Sequence, residues 1–308
     1  GDTDGRETID FFDYYLGWEL NDRLKVLIGK RKVSASRQWL LSARNTRMIA
    51  RPVACNFFRP DRTTGIFAIG EFGESTYCEL MCANGYQTAN IAPLDADNLF
   101  TFAGPHSWEP LGDFENQIID YETSEGLLVR VGHSFVYSPN SSVILGVPQG
   151  EADFVRLSDG TGLIEPDALA PGVTVSSFKI YLYSVDFAAR CRGWSVNCEV
   201  FLRWIEELEG DGALPIRDLF QKGYYVEGGR FLVPGKLDLN ARLSHVSGML
   251  AERWEYAVGL NWFPLDTSKM KISFDVSYLD GSPLHNTAAD ILVGDKGMLL
   301  RTQFQAEF

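Results

Sequence analysis

Between Lys30 and Arg62 the chain places Lys30, Arg31, Lys32, Arg37, Arg44, Arg47, Arg51, Arg59 and Arg62, with Asp61 the only acid among them. Nine charges minus one leave a local +8. The whole chain carries 28 basic and 41 acidic residues, a net −13, so the other residues hold −21. Guanidinium groups offer planar donors that match carboxylate and phosphate oxygens. A solvated face normally mixes both signs, so a run of one sign points to a local task, the attraction of anions. Ser36 can cap a short helix, and Pro52 can end one by removing a donor. At 100° per residue Arg37, Arg44, Arg47 and Arg51 would then share an arc of about 80°. Trp39, Ala43 and Ala50 fall on the other sides and could anchor such a helix to a wall. The bland alternative is a solvated helix face.

Other chemistry is thin. The histidines His106, His133, His245 and His285 lie in unrelated segments, and no Ser or Cys stands in a GxSxG motif. A hydrolase is therefore a minor reading, and no enzyme is expected. Five cysteines form no CxxC and no metal-ligand spacing, so neither metal nor cofactor is expected. Cys78 and Cys82 would share a strand face without bonding; Cys191 and Cys198 flank a turn and could bridge if their registers match. Asp95, Asp97 and Asn98 hint at calcium but lack the rest of an EF-type loop. A plain surface loop is the better reading there.

The elements that must hold the basic block read as strands, because period-two alternation recurs almost throughout. Tyr14, Leu16, Trp18 and Leu20 share one face. After the turn at Asn21-Asp22, Leu24, Val26 and Ile28 point outward and Lys25, Leu27 and Gly29 inward. Residues 65–72 and 75–83 read as a hairpin, and 100–109 and 127–137 as strands. In the last third, four further runs oppose apolar residues to polar ones, as with Trp254, Tyr256, Val258, Leu260 and Trp262 against Glu255, Ala257, Gly259 and Asn261. The polar parity places Lys25, Arg130, Arg203, Arg242, Lys271 and Arg301 on one wall, with Glu199, Glu255, Asp275 and Glu307 among them. Segment 138–173, rich in acid, Gly and Pro, reads as a long outer loop.

Alternation fits a soluble sandwich as well as a barrel whose apolar face meets lipid. Strands of about 10–13 residues suit a tilted membrane span better than the soluble mode of about 5–6. Aromatic residues gather at strand ends, where interfacial girdles sit. Short turns (21–22, 73–74, 234–235, 264–269) alternate with long connections (30–62, 84–97, 138–173, 208–216, 280–296), as in outer-membrane barrels. The expectation is an all-β transmembrane antiparallel barrel whose partly helical basic loop, residues 30–62, folds into a water-filled lumen.

With 308 residues and 45% hydrophobic content the chain is no disordered segment. Its acidic balance excludes nucleic acid as the main partner. No apolar run reaches the roughly 18 residues of a membrane helix, which does not bear on strands. The first residues, GDTDGRETIDFFDYY, lack the regions of a signal peptide, so the chain is expected to be mature or truncated at the front.

The final run, with Leu300, Phe304 and Phe308 on one face, resembles the terminal strand of a bacterial outer-membrane protein. The sequences GKRKVSASRQW (29–39), FFRPDRTTG (57–65) and WEPLGD (108–113) resemble the porin O and P family of phosphate-selective outer-membrane channels. The resemblance implies a sixteen-stranded porin, of which about thirteen strands are visible here and three precede them. It also implies that the block between Lys30 and Arg62 is the constriction loop. The function it implies is passive diffusion of small anions such as phosphate through an outer-membrane pore, in a homotrimer embedded in lipid. Arg31, Arg37, Arg44, Arg47, Arg51, Arg59 and Arg62 become the candidate anion-binding residues. A structural or adhesive surface barrel without selective transport is the alternative.

Overall fold

Wherever the sequence alternates, the backbone is strand. The computed structural model describes residues 12–73, 75–86, 99–114, 117–141, 143–144, 147–148, 154–265, 267–285 and 291–307. Thirteen antiparallel strands form one sheet in chain order: β1 (Tyr14–Asn21), β2 (Leu24–Lys32), β3 (Arg62–Phe72), β4 (Thr76–Asn84), β5 (Phe100–Trp108), β6 (Leu128–Ser141), β9 (Val175–Cys191), β10 (Trp194–Gly210), β11 (Leu219–Val233), β12 (Leu237–Ser247), β13 (Glu252–Trp262), β14 (Met270–Asp280) and β15 (Lys296–Ala306). A small separate hairpin, β7 (Val143–Ile144) and β8 (Val147–Pro148), lies between β6 and β9. Among the described residues the helical elements are α1 (Arg37–Leu40), α2 (Val53–Phe58) and a 3-10 turn at Ala43–Asn45.

The faces divide as the alternation requires. On β12 and β13, Leu239, Tyr256, Val258 and Trp262 are exposed, whereas Asp238, Asn240, Arg242, Ser244, Glu255 and Asn261 are buried. A soluble sheet would hide the first set. Here the apolar set faces out, as lipid demands. The sheet must also curl, because one segment touches polar inner faces far apart along it. Ser34 Oγ donates to Glu79 of β4, Ser36 N donates to Ser134 Oγ of β6 at 3.0 Å, and Ala54 N donates to Ser244 Oγ of β12 at 2.9 Å. Arg44 reaches Glu307, beyond β15, at 2.6 Å. The sheet wraps around residues 33–61. Among the described residues β1 pairs only with β2 and β15 only with β14. The architecture is thus the expected all-β transmembrane barrel fold, with the partly helical basic segment inside it.

Three expectations are corrected. The basic block is not one helix: Pro52 stands at the start of α2, not at a helix end, and extended backbone at Ser42 and Thr46 interrupts the segment. Loop lengths do not alternate strictly. Residues 109–127 are a long connection at the short-turn end, and four residues, 248–251, join β12 to β13 at the other. Segment 138–173 is not all outer loop: β6 runs to Ser141, and Val155, Leu157 and Leu163 are buried. The interior around α2 is accordingly packed rather than wet. Phe58 stacks on Phe201 at 5.3 Å, in one apolar cluster with Phe57, Leu157, Leu163 and Tyr225. All five cysteines are free; Cys191 pairs with Trp194 and Cys198 with Phe187, on different rungs of the ladder. The proposed calcium residues 95, 97 and 98 lie outside the described residues.

Candidate anion site inside the barrel

The segment after β2 turns sharply at Ser36, whose φ of 49° is a left-handed value that costs a non-glycine residue energy. Three contacts hold it. Its N–H donates to Ser134 Oγ at 3.0 Å, its Oγ donates to Glu199 Oε2 at 3.1 Å, and that Oγ accepts from Trp39 N at 3.4 Å, capping α1. Glu199 also accepts from Arg37 N at 3.1 Å and Gln38 N at 3.4 Å. Further along, Ile49 N donates to Asp275 at 2.9 Å and Val53 N to Glu255 at 2.9 Å. Wall carboxylates thus hold the loop by its backbone.

The loop arginines have separate fates. Arg37 is buried, donates to Asn197 Oδ1 at 2.8 Å and lies over the Phe114 ring at 5.2 Å. Arg47 is fully buried, 3.5 Å from Asp238, and donates to Ser195 Oγ and, at 2.7 Å, to Ile118 O. Arg44 is half-exposed and paired with Glu307. Arg31 pairs with Glu79 at 3.1 Å, and Arg62 with Asp13 at 3.0 Å. Arg59 lies 3.9 Å from Asp61. Arg51 differs: Nε donates to Gln38 O at 3.0 Å and Nη2 to Leu41 O at 2.8 Å, with no carboxylate within ion-pair range among the described residues. Burial first, and then Arg59 and Arg62, hold it below the ordinary guanidinium value. Lys32, Arg51, Arg59 and Arg62 ring one indole, Trp39, at 4.7, 5.4, 4.2 and 5.8 Å from its centroid. Such stacking orients cations without cancelling their charge.

The wall cations also sort themselves. Arg130 pairs with Asp186, Arg242 with Glu255 at 2.7 Å and with Glu227 at 3.7 Å, and Arg301 with Asp275 at 2.6 Å. Lys25 lies 3.6 Å from exposed Glu19. Lys271 donates to Thr46 O at 2.9 Å, fixing the loop. Arg203 is buried against Phe57 and Phe58 and donates to Gln221 Oε1, Phe57 O and Arg156 O; no described carboxylate pairs with it.

An open cavity of about 530 Å³ remains between the loop and the inner faces of β13, β14 and β15. Arg51, Arg59, Arg156 and Arg301 line it, against Asp61 and Glu255. Glu255 is already engaged by Arg242 and Val53 N. Of the sequence candidates, the cavity gathers Arg51, Arg59 and Arg301; Arg31, Arg37, Arg44, Arg47 and Arg62 lie apart from it. Arg156 and His285 were not singled out for it, because both sit in connections without periodicity. In the connection between β5 and β6, Phe114 and Ile118 also escaped notice as interior residues; both are buried, and Ile118 O accepts from Arg47 and from Asn197 Nδ2 at 3.1 Å. Among the described residues no group of three His, Cys, Asp or Glu side chains is placed to hold a metal. His106 and His133 are ladder partners on the outer face, and His245 packs on Trp254 at 4.0 Å.

No protein-family model and no curated protein matches the chain. Solved structures do. OprB of Pseudomonas putida is 10% identical with a TM-score of 0.55, over 97% of this chain and 73% of that one. An anion-selective porin from Comamonas acidovorans is 11% identical with a TM-score of 0.50, over 92% and 70%. OmpT in its trimer form, an outer membrane protein of Vibrio cholerae, is 11% identical with a TM-score of 0.50, over 95% and 80%. At such identities the likeness is one of fold: the chain folds as the β-barrels of outer-membrane porins do.

Proposed function

We propose that the protein is a porin of the bacterial outer membrane that passes small anions by diffusion, with residues 30–62 as the loop that narrows its lumen. The observation that carries this is Arg51. It lines the interior cavity, it is fixed by two carbonyls, and no described carboxylate neutralises it. A fixed cation in a confined polar passage compensates an anion for the hydration it loses there. Arg59, Arg156 and Arg301 add to the positive field, and Arg203 stands behind them. The anion selectivity named for the Comamonas porin supports this reading. So does the resemblance to phosphate-selective channels at GKRKVSASRQW and FFRPDRTTG, which brings with it a homotrimer. Arg37 and Arg47 hold the loop in place in this scheme and filter little.

Reversal potentials of the purified protein in planar bilayers under a KCl gradient test the proposal. Anion preference is expected, and Arg51→Ala should reduce it. Cation preference of the wild type, or no change on removing Arg51, would overturn it.

A further inference from the structure

The cavity beside Arg51 has two kinds of wall. One is cationic, from Arg51, Arg59, Arg156 and Arg301. The other is apolar: Leu279, Leu284, Ile291 and Leu299 line it, with the ring of Phe154, 44% exposed. The cations are not equivalent. Arg301 Nε is held 2.6 Å from Asp275, Arg156 lies 3.8 Å from Glu165, and Arg59 lies 3.9 Å from Asp61. Only Arg51 among these four lacks a described acid. The cavity therefore offers one uncompensated guanidinium beside an apolar surface.

Inorganic phosphate and chloride have no apolar face, so they would leave that half of the lining unmatched. Arg51 Nε and Nη2 are taken by Gln38 O and Leu41 O, which leaves Nη1 to donate to a carboxylate whose charge the guanidinium compensates, and an apolar body on the same molecule would displace water from the apolar lining. About 530 Å³ falls within the roughly 300–1,000 Å³ of small-molecule sites. We propose that this cavity binds small monocarboxylates carrying an apolar or aromatic body, in preference to inorganic phosphate. The proposal rests on the anion-porin reading above and names the solute class that the reading leaves open.

The test is block of chloride current through the wild-type protein in planar bilayers by benzoate, acetate, inorganic phosphate and benzyl alcohol, each added alone. Benzoate should halve the current at a concentration about tenfold lower than acetate or phosphate, a ratio that an apolar group in a fitted pocket can supply. Benzyl alcohol, with the ring but no charge, should not block at that concentration. Arg51→Ala and, separately, Leu284→Asn should each weaken the benzoate block in channels that still insert. Equal block by benzoate and acetate, or stronger block by phosphate, would overturn the proposal while anion preference in the reversal potential persisted. Cation preference would instead remove the anion-porin reading beneath it.

Discussion

Arg47 Nη1 stands 3.5 Å from Asp238 Oδ1, and both side chains are 0% exposed. Their approach is an ion pair without hydrogen-bond geometry, since neither atom has a hydrogen-bond partner. Asp238 Oδ2 accepts instead from Asn240 and Asn261, each at 3.0 Å. Removing the cation alone would leave a buried carboxylate hydrogen-bonded only to amides, with the Lys271 ammonium as the remaining cation that acts on it. Breaking such a pair costs about 3–5 kcal/mol. Arg47→Ala should lower unfolding stability by that amount in urea titrations of the detergent-folded barrel, and Asp238→Asn in the same chain should restore part of it. A loss under about 1 kcal/mol would show that the pair does not pin the loop.

Arg44 provides the contrast on the same segment. It is paired with Glu307, but both side chains are about half exposed, 55% and 42%. Exposed pairs contribute roughly 0–1 kcal/mol. Arg44→Ala should therefore leave the urea midpoint almost unmoved. A shift as large as that of Arg47→Ala would mean that the loop is held at its tip and not along its length.

The strands were legible because lipid outside and a polar interior impose the same two-residue period on every one of them. The inward parity of Lys25, Arg130, Arg203, Arg242, Lys271 and Arg301 followed from that period alone. The roles of the loop arginines were not legible. Arg37 meets Asn197, Arg47 meets Asp238 and Arg44 meets Glu307, partners 160 or more residues away. Helical spacing within 37–51 could not foresee them. Residues 109–127 were missed for a related reason: Phe114 and Ile118 are single apolar side chains in an aperiodic connection, and only the fold brings them against Arg37 and Arg47.

Glu199 organises the first corner of the loop by accepting from Ser36 Oγ, Arg37 N and Gln38 N. An amide left without its partner in a buried site costs about 1–3 kcal/mol. Glu199→Ala should free this corner, which also carries the left-handed Ser36. Hydrogen exchange should then accelerate at Arg37 and Gln38 while remaining slow at Val53 and Ala54, held separately by Glu255 and Ser244. Uniform acceleration along 36–54 would refute independent anchoring.

Gly223 on β11 is where the wall yields to α2. A Cβ there would stand 2.5 Å from Phe58 Cε2 and 2.6 Å from His245 O. The carbonyl belongs to the neighbouring strand, so it cannot step aside, and the ring is locked in its stack on Phe201. Overpacking of this kind costs about 1–3 kcal/mol. Gly223→Ala should lower stability by that amount and weaken the near-ultraviolet dichroism of the aromatic cluster. A neutral substitution would mean that α2 is free to back away from β11.

Cys55 on α2 reports whether that helix stays packed. It is 0% exposed, and burial, followed by the nearby Glu199, pushes its thiol up to about 12. The thiolate is the reactive form, so at pH 8 almost none is present. In a variant whose other four cysteines are serine, Cys55 should resist iodoacetamide at pH 8 in the folded barrel and react readily once urea unfolds it. Raising the pH to 9 should bring little labelling, because that is still far below the folded value. Glu199→Ala lowers one of the two influences that hold the thiol neutral, yet desolvation remains the larger, so labelling should stay slow unless α2 itself leaves the wall. Rapid labelling of the folded wild-type site would place α2 in water and refute the packed interior around it.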